Sequence, residues 1–138
     1  MNRKTTLVAA GAALATAALG LGLDGAASAH TTTHTLSFRS HQIADRIIND
    51  TDLAASKELQ NGNVTGYDLT RCKVDVVTHR AHCDVAIARA AGMLFGRAHV
   101  NVDTGKGSGT VTGGTGRFAG ATGTITVVDP VITIHWSN

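Results

Sequence analysis

Residues Thr110 to Val128 read TVTGGTGRFAGATGTITVV, which is two short runs rich in β-branched residues joined by a glycine-rich turn. Glycine permits the positive backbone φ angles that tight turns need, and Phe118 is the one large apolar side chain in the turn. We therefore predict a structural turn made of Gly113, Gly114, Gly116, Phe118, Gly120 and Gly123. A dinucleotide site would need a helix after the glycines, whereas Gly123 to Val128 predicts a strand.

The sequence on both sides of this motif predicts further short strands, because apolar and polar residues alternate between turn signals. The predicted strands are His34–His41, Val64–Val77, Cys83–Arg89, Met93–Val102, Gly123–Val128 and Val131–Trp136. Several short strands separated by glycine turns are typical of an all-β sandwich or barrel. Closure into a barrel also removes the exposed edges that a long flat sheet would leave.

The segment Gln42 to Leu59 is ambiguous. Ile43, Ile47 and Ile48 have helical spacing, whereas Asn49-Asp50-Thr51-Asp52 is typical of a turn. Helix and strand both stay open for this segment on its residues alone.

The N-terminus has the organisation of a secretory signal. Arg3 and Lys4 precede an apolar stretch, Thr5 to Leu23, and Ala27-Ser28-Ala29 is a small-x-small cleavage site. We expect residues 1–29 to be a cleaved signal peptide, with residues 30–138 forming a single β-barrel domain that is secreted to the extracellular space. An uncleaved membrane anchor is the alternative.

Charge and cysteine content restrict the function further. The formal net charge of +2 and the lack of Lys or Arg runs argue against a nucleic-acid partner, and after signal cleavage we expect no membrane contact. Cys72 and Cys83 are the only cysteines, so an exported chain predicts one disulfide between them. The polar residues between them, Thr78 to His82, predict a turn placed late in the hairpin, which requires a bulge or diagonal pairing.

Several segments together resemble a known family. They are Gly66-Tyr67-Asp68, the two cysteines, the strand Leu94–Val102, the motif Gly113–Val127 and the last strand Ile132–Trp136. This pattern resembles the small exported bacterial members of the allene oxide cyclase barrel-like group, which are related to plant dirigent proteins. The resemblance implies an eight-stranded antiparallel β-barrel, often a homotrimer, with an apolar interior cavity. It also favours strand over helix for Asp52–Leu59.

The functional residues of these families have no counterparts here. Dirigent proteins carry arginines just after the motif phenylalanine, where this chain has Ala119 and Thr122, and Arg117 lies before Phe118. No position matches the catalytic set of allene oxide cyclases, so the catalytic residues stay unknown.

A candidate ligand-binding set comes from the strand Met93–Val102. Arg97, His99 and Asn101 share one face of that strand, and His135 joins them if the two strands are neighbours. This set is interpreted either as the polar floor of a ligand cavity or as the wet outer face of the barrel. Asp84, on the adjacent strand Cys83–Arg89, is the nearest candidate acidic partner.

Metal and cofactor sites are not expected. His79, His82 and Cys83 offer too few convergent ligands once the cysteine is oxidised, and His30 with His34 is better explained as a polar terminus. No cofactor motif is present in the sequence.

The sequence favours a secreted barrel that binds a small apolar or amphipathic molecule in its interior without catalysis. The alternatives are an isomerase- or cyclase-like or dirigent-like enzyme of specialised metabolism, or a structural extracellular oligomer whose barrel is filled.

Overall fold

A computed structural model describes residues 31–138, so the predicted signal peptide and its cleavage site lie outside the described residues. Eight strands account for almost all of this part of the chain. They are β1 (Thr33–Ile48), β2 (Thr51–Gln60), β3 (Asn63–Asp75), β4 (Arg80–Arg89), β5 (Gly92–Asn101), β6 (Lys106–Gly114), β7 (Thr122–Val128) and β8 (Val131–Ser137). A single 3₁₀ turn, Gly116–Phe118, lies between β6 and β7.

Each strand pairs antiparallel with the next in sequence, and β8 pairs with β1 to close an eight-stranded barrel. The predicted fold class is therefore confirmed. Because all connections are between neighbours, β5 and β8 lie apart, separated by β6 and β7.

The segment Gln42–Leu59 is entirely strand and turn, so its helical alternative is wrong. β1 continues to Ile48, where Asn49 and Asp50 form the turn to β2 with positive φ angles of 48° and 62°. A bulge between Gln42 and Ala44 shifts the register by one residue. That shift breaks the strand alternation in the sequence, which is why the isoleucines have a helix-like spacing.

The pairing register divides the side chains into an inward and an outward set. The inward residues of β4 to β8, together with the start of β1, form an apolar core. Its most enclosed members are Leu94, Ile134, Ile87, Ala121 and Ile125. The inward residues of the end of β1, β2 and β3 are instead mostly polar.

The glycine motif closes one end of the barrel. Phe118 is 4 % exposed, and its ring lies edge-on to Trp136 with 5.5 Å between ring centroids. The backbone N–H groups of Thr115 and Arg117 donate to Met93 O at 2.7 Å and Ala91 O at 2.9 Å. Gly116 has φ 58°, and a Cβ there would collide with Ala91 O, so the turn needs glycine at this position.

The cysteine pair lies in the β3–β4 hairpin, near the other end of the barrel. Cys72 and Cys83 are directly opposed, and their sulfur atoms are 2.07 Å apart. The turn occupies Val76–His79, earlier than predicted, because Asp75 Oδ1 accepts hydrogen bonds from Val77 N and Thr78 N. The ladder from Tyr67 to Asp75 is regular, so the predicted bulge or diagonal pairing is wrong.

Candidate functional site

The most unusual group in the barrel interior is a set of buried and half-buried polar side chains on β1, β2, β3 and β4, which we call the acidic wall. Its members are Ser40, Ser56, Glu58, Asp68 and Arg89. The register places Ser40 opposite Glu58, and Ser56 opposite Asp68, so these side chains meet on the inward face. Buried carboxyl groups are rare unless they are paired or have a function.

Glu58 is fully buried, with 0 % exposure, and its Oε2 atom lies 2.5 Å from Arg89 Nη2. The contact is close but poorly aligned, because neither carboxylate oxygen of Glu58 makes a hydrogen bond of good geometry. Desolvation raises the pKa of Glu58 to about 7, against the opposing charge and hydrogen-bonding effects of Arg89. The guanidinium of Arg89 also lies 5.5 Å from the centroid of the Phe38 ring, within cation–π range.

Gly66 makes the space that the Glu58 carboxyl group occupies. A Cβ atom at Gly66 would lie 2.6 Å from Glu58 Oε2 and 2.7 Å from Ala88 O. Any larger residue at this position would therefore displace the carboxyl group or the backbone of β4. The glycine on β3 and the glutamate on β2 act as a matched pair.

Asp68 is the second buried carboxyl group, at 2 % exposure. Ser40 Oγ donates to Asp68 Oδ2 at 3.2 Å. Burial raises the pKa of Asp68 above its usual value, and the hydrogen bonds from Ser40 and Ser56 oppose this increase. Two neighbouring carboxyl groups with raised pKa values are thus held by different partners, one by an arginine and one by hydroxyl groups.

The inward layer next to the acidic wall, on the side away from the glycine motif, is less enclosed than the carboxyl groups of the wall. Ala54 and Thr70 point inward in the layer next to Ser56 and Asp68, yet both are only half-buried. A cavity of about 380 Å³ lies at this end, lined by Ile47, Asp50, Asp52, Lys73, Val74 and Val76. Asp52 also points inward, and its Oδ1 atom is buried without a hydrogen-bond partner.

This arrangement is suited to binding a polar group or exchanging a proton with it. A carboxyl group with a pKa near 7 is present in both protonation states at neutral pH, as a general acid or base requires. A buried acceptor without a hydrogen-bond partner is also stabilised when a donor or a cation reaches it.

The four side chains predicted from sequence as a ligand site do not come together. Arg97 and His99 lie exposed on the outer face of β5, where Arg97 Nε is 3.5 Å from Asp84 Oδ1. Asn101 holds the β5–β6 turn, since its Oδ1 accepts from Asp103 N and Thr104 N.

His135 lies on the outer face of β8 with its Nδ1 atom 2.9 Å from Thr35 Oγ1. Because β8 does not neighbour β5, the condition for His135 to join the β5 residues is not met.

Sequence reasoning missed Glu58, Asp68 and Arg89. One signal was present: Glu58 and Ser56 alternate with Lys57 and Leu59, and Gly66-Tyr67-Asp68 has a glycine two residues before an acid. Reading that signal requires knowing which face of β2 points inward, and this depends on the pairing register of β2 with its neighbours.

Metal-ligand groups and membrane-spanning helices can be assessed for residues 31–138 only. No group of three or more His, Cys, Asp or Glu side chains in this range is arranged to hold a metal ion. His79 instead contacts Asp103, with 2.7 Å between Nδ1 and Oδ2, and His82 lies edge-on to His99. None of the helices in this range is long and apolar enough to cross a membrane.

Comparison with known proteins identifies the fold. No family model and no curated protein sequence matches the chain. Among solved structures, a chain described as pyocyanin demethylase superposes with a TM-score of 0.60 at 22 % sequence identity, covering 75 % of this chain and 98 % of that one. The protein therefore has a barrel fold similar to that of an enzyme, and at this identity the likeness shows the fold alone.

Proposed function

We propose that this protein is an exported β-barrel that binds a small amphipathic molecule in its interior, with the polar end of the molecule directed at the acidic wall. The observation that carries the proposal is Glu58, a fully buried carboxyl group whose two oxygens lack well-aligned hydrogen bonds. A buried network that is only partly satisfied costs stability, which is a common feature of functional sites.

The charges of the inward-facing residues indicate which polar end fits. Asp45, Asp52, Glu58 and Asp68 all point inward by register, against a single inward arginine, Arg89. The interior of this half of the barrel is therefore acidic. An organic cation, or a neutral donor such as an amine or amide, complements it better than an anion does.

Matched probes of one shape test this proposal. Benzylamine, benzyl alcohol and benzoate differ mainly in charge, and we expect benzylamine to bind most tightly by calorimetry at pH 8. Glu58→Gln should weaken the binding of benzylamine, whereas Asp103→Asn, at an exposed contact with His79, should not. Equal binding of the three probes, or unchanged binding to Glu58→Gln, would contradict a site at the acidic wall.

A second candidate function is a proton-transfer enzyme of the isomerase or cyclase type. It is favoured by the pKa of Glu58, raised to about 7, beside the second carboxyl group of Asp68. Native mass spectrometry of protein purified from its producing strain would identify a retained molecule. Incubating that molecule in deuterated water should give isotope incorporation with the wild type and none with Glu58→Gln if this candidate is right.

Export and family membership are parts of the same proposal. A disulfide-distance cysteine pair is typical of proteins that fold in an oxidising compartment. The barrel topology supports membership of the allene oxide cyclase barrel-like group, and a homotrimer is the assembly which that membership implies. Sequencing the N-terminus of protein from culture supernatant should find His30 first, whereas an intact Met1 form in membranes would contradict export.

A further inference from the structure

One cavity within residues 31–138 is a groove on the outer surface of the barrel. Its volume is about 610 Å³. The lining residues come in runs of three on successive strands, Ala44–Arg46, Leu53–Ala55, Leu69–Arg71, Asp84–Ala86 and Phe95–Arg97, with Thr112 on β6. In each run the two flanking residues point outward and the central residue points inward, so the groove is formed by outward side chains over the strand backbones.

The floor of this outer groove is apolar. Leu53, Ala55, Leu69, Ala86 and Phe95 contribute outward side chains, and Leu69 is 58 % exposed. Water-exposed leucine in a concave surface is unfavourable unless something covers it. The volume lies within the range of small-molecule sites, roughly 300–1,000 Å³.

The outward charges of the groove are predominantly positive. Arg46, Arg71 and Arg97 line the groove together with two carboxylates, the outward Asp84 and Asp45, which the register turns inward. Arg71 Nη2 is 2.6 Å and Arg97 Nε 3.5 Å from the two oxygens of Asp84, and together the arginines hold the pKa of Asp84 below its usual value. Within residues 31–138, Arg46 forms no ion pair.

We propose that the outer groove binds a free amphipathic anion, such as a medium-chain carboxylate, with its apolar body on Leu53, Leu69 and Phe95. The carboxylate would lie against Arg97 or Arg46, where guanidinium groups exceed carboxylates. Arginine suits this role because its planar donors match a carboxylate in a bidentate geometry.

The rest of the barrel surface favours a small molecule over a second copy of the chain. The outward residues of β6, β7, β8 and the start of β1 form rows of hydroxyl groups, for example Ser108, Thr126, Thr133 and Ser37 across four strands. Such a face is well hydrated and offers little apolar surface to cover the groove. A second copy is nevertheless the main competing occupant, and the test below separates the two.

The experiment compares decanoate with decanol and decylammonium below their aggregation concentrations, using calorimetry on the mature protein. We expect decanoate to bind most tightly. Arg97→Gln should weaken it about fivefold, as expected for a partly exposed ion pair. Arg117→Gln is the matched control, because Arg117 is exposed on the 3₁₀ turn outside the groove, and it should change nothing.

Leu69→Gln provides the second variant, since an exposed position can change without unfolding the barrel. This substitution should weaken the binding of decanoate and the binding of decanol to the same degree. Equal affinity for decanoate and decylammonium would overturn the anion assignment. A concentration-dependent oligomer by light scattering that Leu69→Gln dissociates, with no decanoate binding, would show that a second copy occupies the groove. Binding only to anionic vesicles would likewise reject a free ligand.

Discussion

The two halves of the barrel interior differ in what they are built to do. In the apolar half, Leu94 and Ile134 are fully enclosed and packed among other hydrocarbon side chains. In the other half, Glu58 and Asp68 are enclosed to the same degree but are surrounded by serines and one arginine. Burial of apolar side chains stabilises the folded state in the first half. In the second half, the desolvation of two carboxyl groups destabilises it.

The difference shows that burial alone does not identify a core. The same barrel closure that removes water from the apolar side chains also removes it from Glu58, and this raises the pKa of Glu58 to about 7. Barrel closure therefore stabilises the fold in the apolar half, and in the other half it raises the pKa of the Glu58 carboxyl group into the range of a general acid or base.

The largest expected effect is in the apolar half. Phe118→Ala should lower the free energy of unfolding by about 3–5 kcal/mol, because it removes a buried ring packed on Trp136 at the closed end. Arg117→Ala is the neighbouring control and should cost less than about 1 kcal/mol. Urea unfolding of both variants measures this, and a fully stable Phe118→Ala protein would show that the glycine motif does not close the barrel.

The next effect tests whether the polar half depends on its ion pair. Arg89→Met should destabilise the protein by about 3 kcal/mol at pH 8, since it leaves Glu58 buried without its cationic partner. At pH 5 Glu58 is protonated, so the loss should be smaller. Denaturant unfolding at the two pH values measures the difference, and an equal loss at both would mean that the methylene stem of Arg89, and not its charge, matters.

A third test concerns the pH dependence of stability. Native Glu58 keeps its proton up to about pH 7, whereas an unfolded glutamate releases it near its ordinary pKa of 4.5. Between these values the native state binds more protons, so stability should fall as pH rises, by about 2–3 kcal/mol from pH 5 to pH 8.

Glu58→Gln should remove that part of the slope. The pKa of Asp68 is also raised by burial, so its contribution has the same sign and should remain in the variant. Denaturant unfolding of the wild type and of Glu58→Gln, measured in parallel from pH 5 to pH 8, tests this prediction. If wild type and variant had the same slope, Glu58 would titrate normally, and the polar half would be more open to water than its burial indicates.

The smallest expected effect on stability comes from removing single hydroxyl groups, and it compares an inward serine with an outward one. Ser40→Ala removes a donor to buried Asp68 and should cost about 1 kcal/mol. Ser37 lies on the same strand, but its side chain points outward to Thr133. Ser37→Ala should therefore cost almost no stability. Thermal melting of the two variants gives the comparison, and equal costs would mean that Asp68 draws its support from Ser56.

Much of the fold was predictable, and the candidate site was not. The turn-like residues Asn49 and Asp50 lie where β1 turns into β2, and the glycine motif forms the turn between β6 and β7, as its residues predict. The acidic wall was missed because its residues come from β1, β2, β3 and β4, and their meeting depends on pairing register. Arg97, His99 and Asn101 were correctly placed on one face, but that face is the outer one.

The sequence by itself determined the strand-and-turn order, the glycine motif with its single aromatic residue, and the pair of cysteines. These are local properties, set by backbone preferences and by the alternation of neighbouring residues. Only the tertiary structure decided which face of each strand points inward. The bulge in β1 shifts its alternation by one residue, and the pairing of β2 with β3 and of β3 with β4 brings Glu58 to Arg89 across the intervening Gly66.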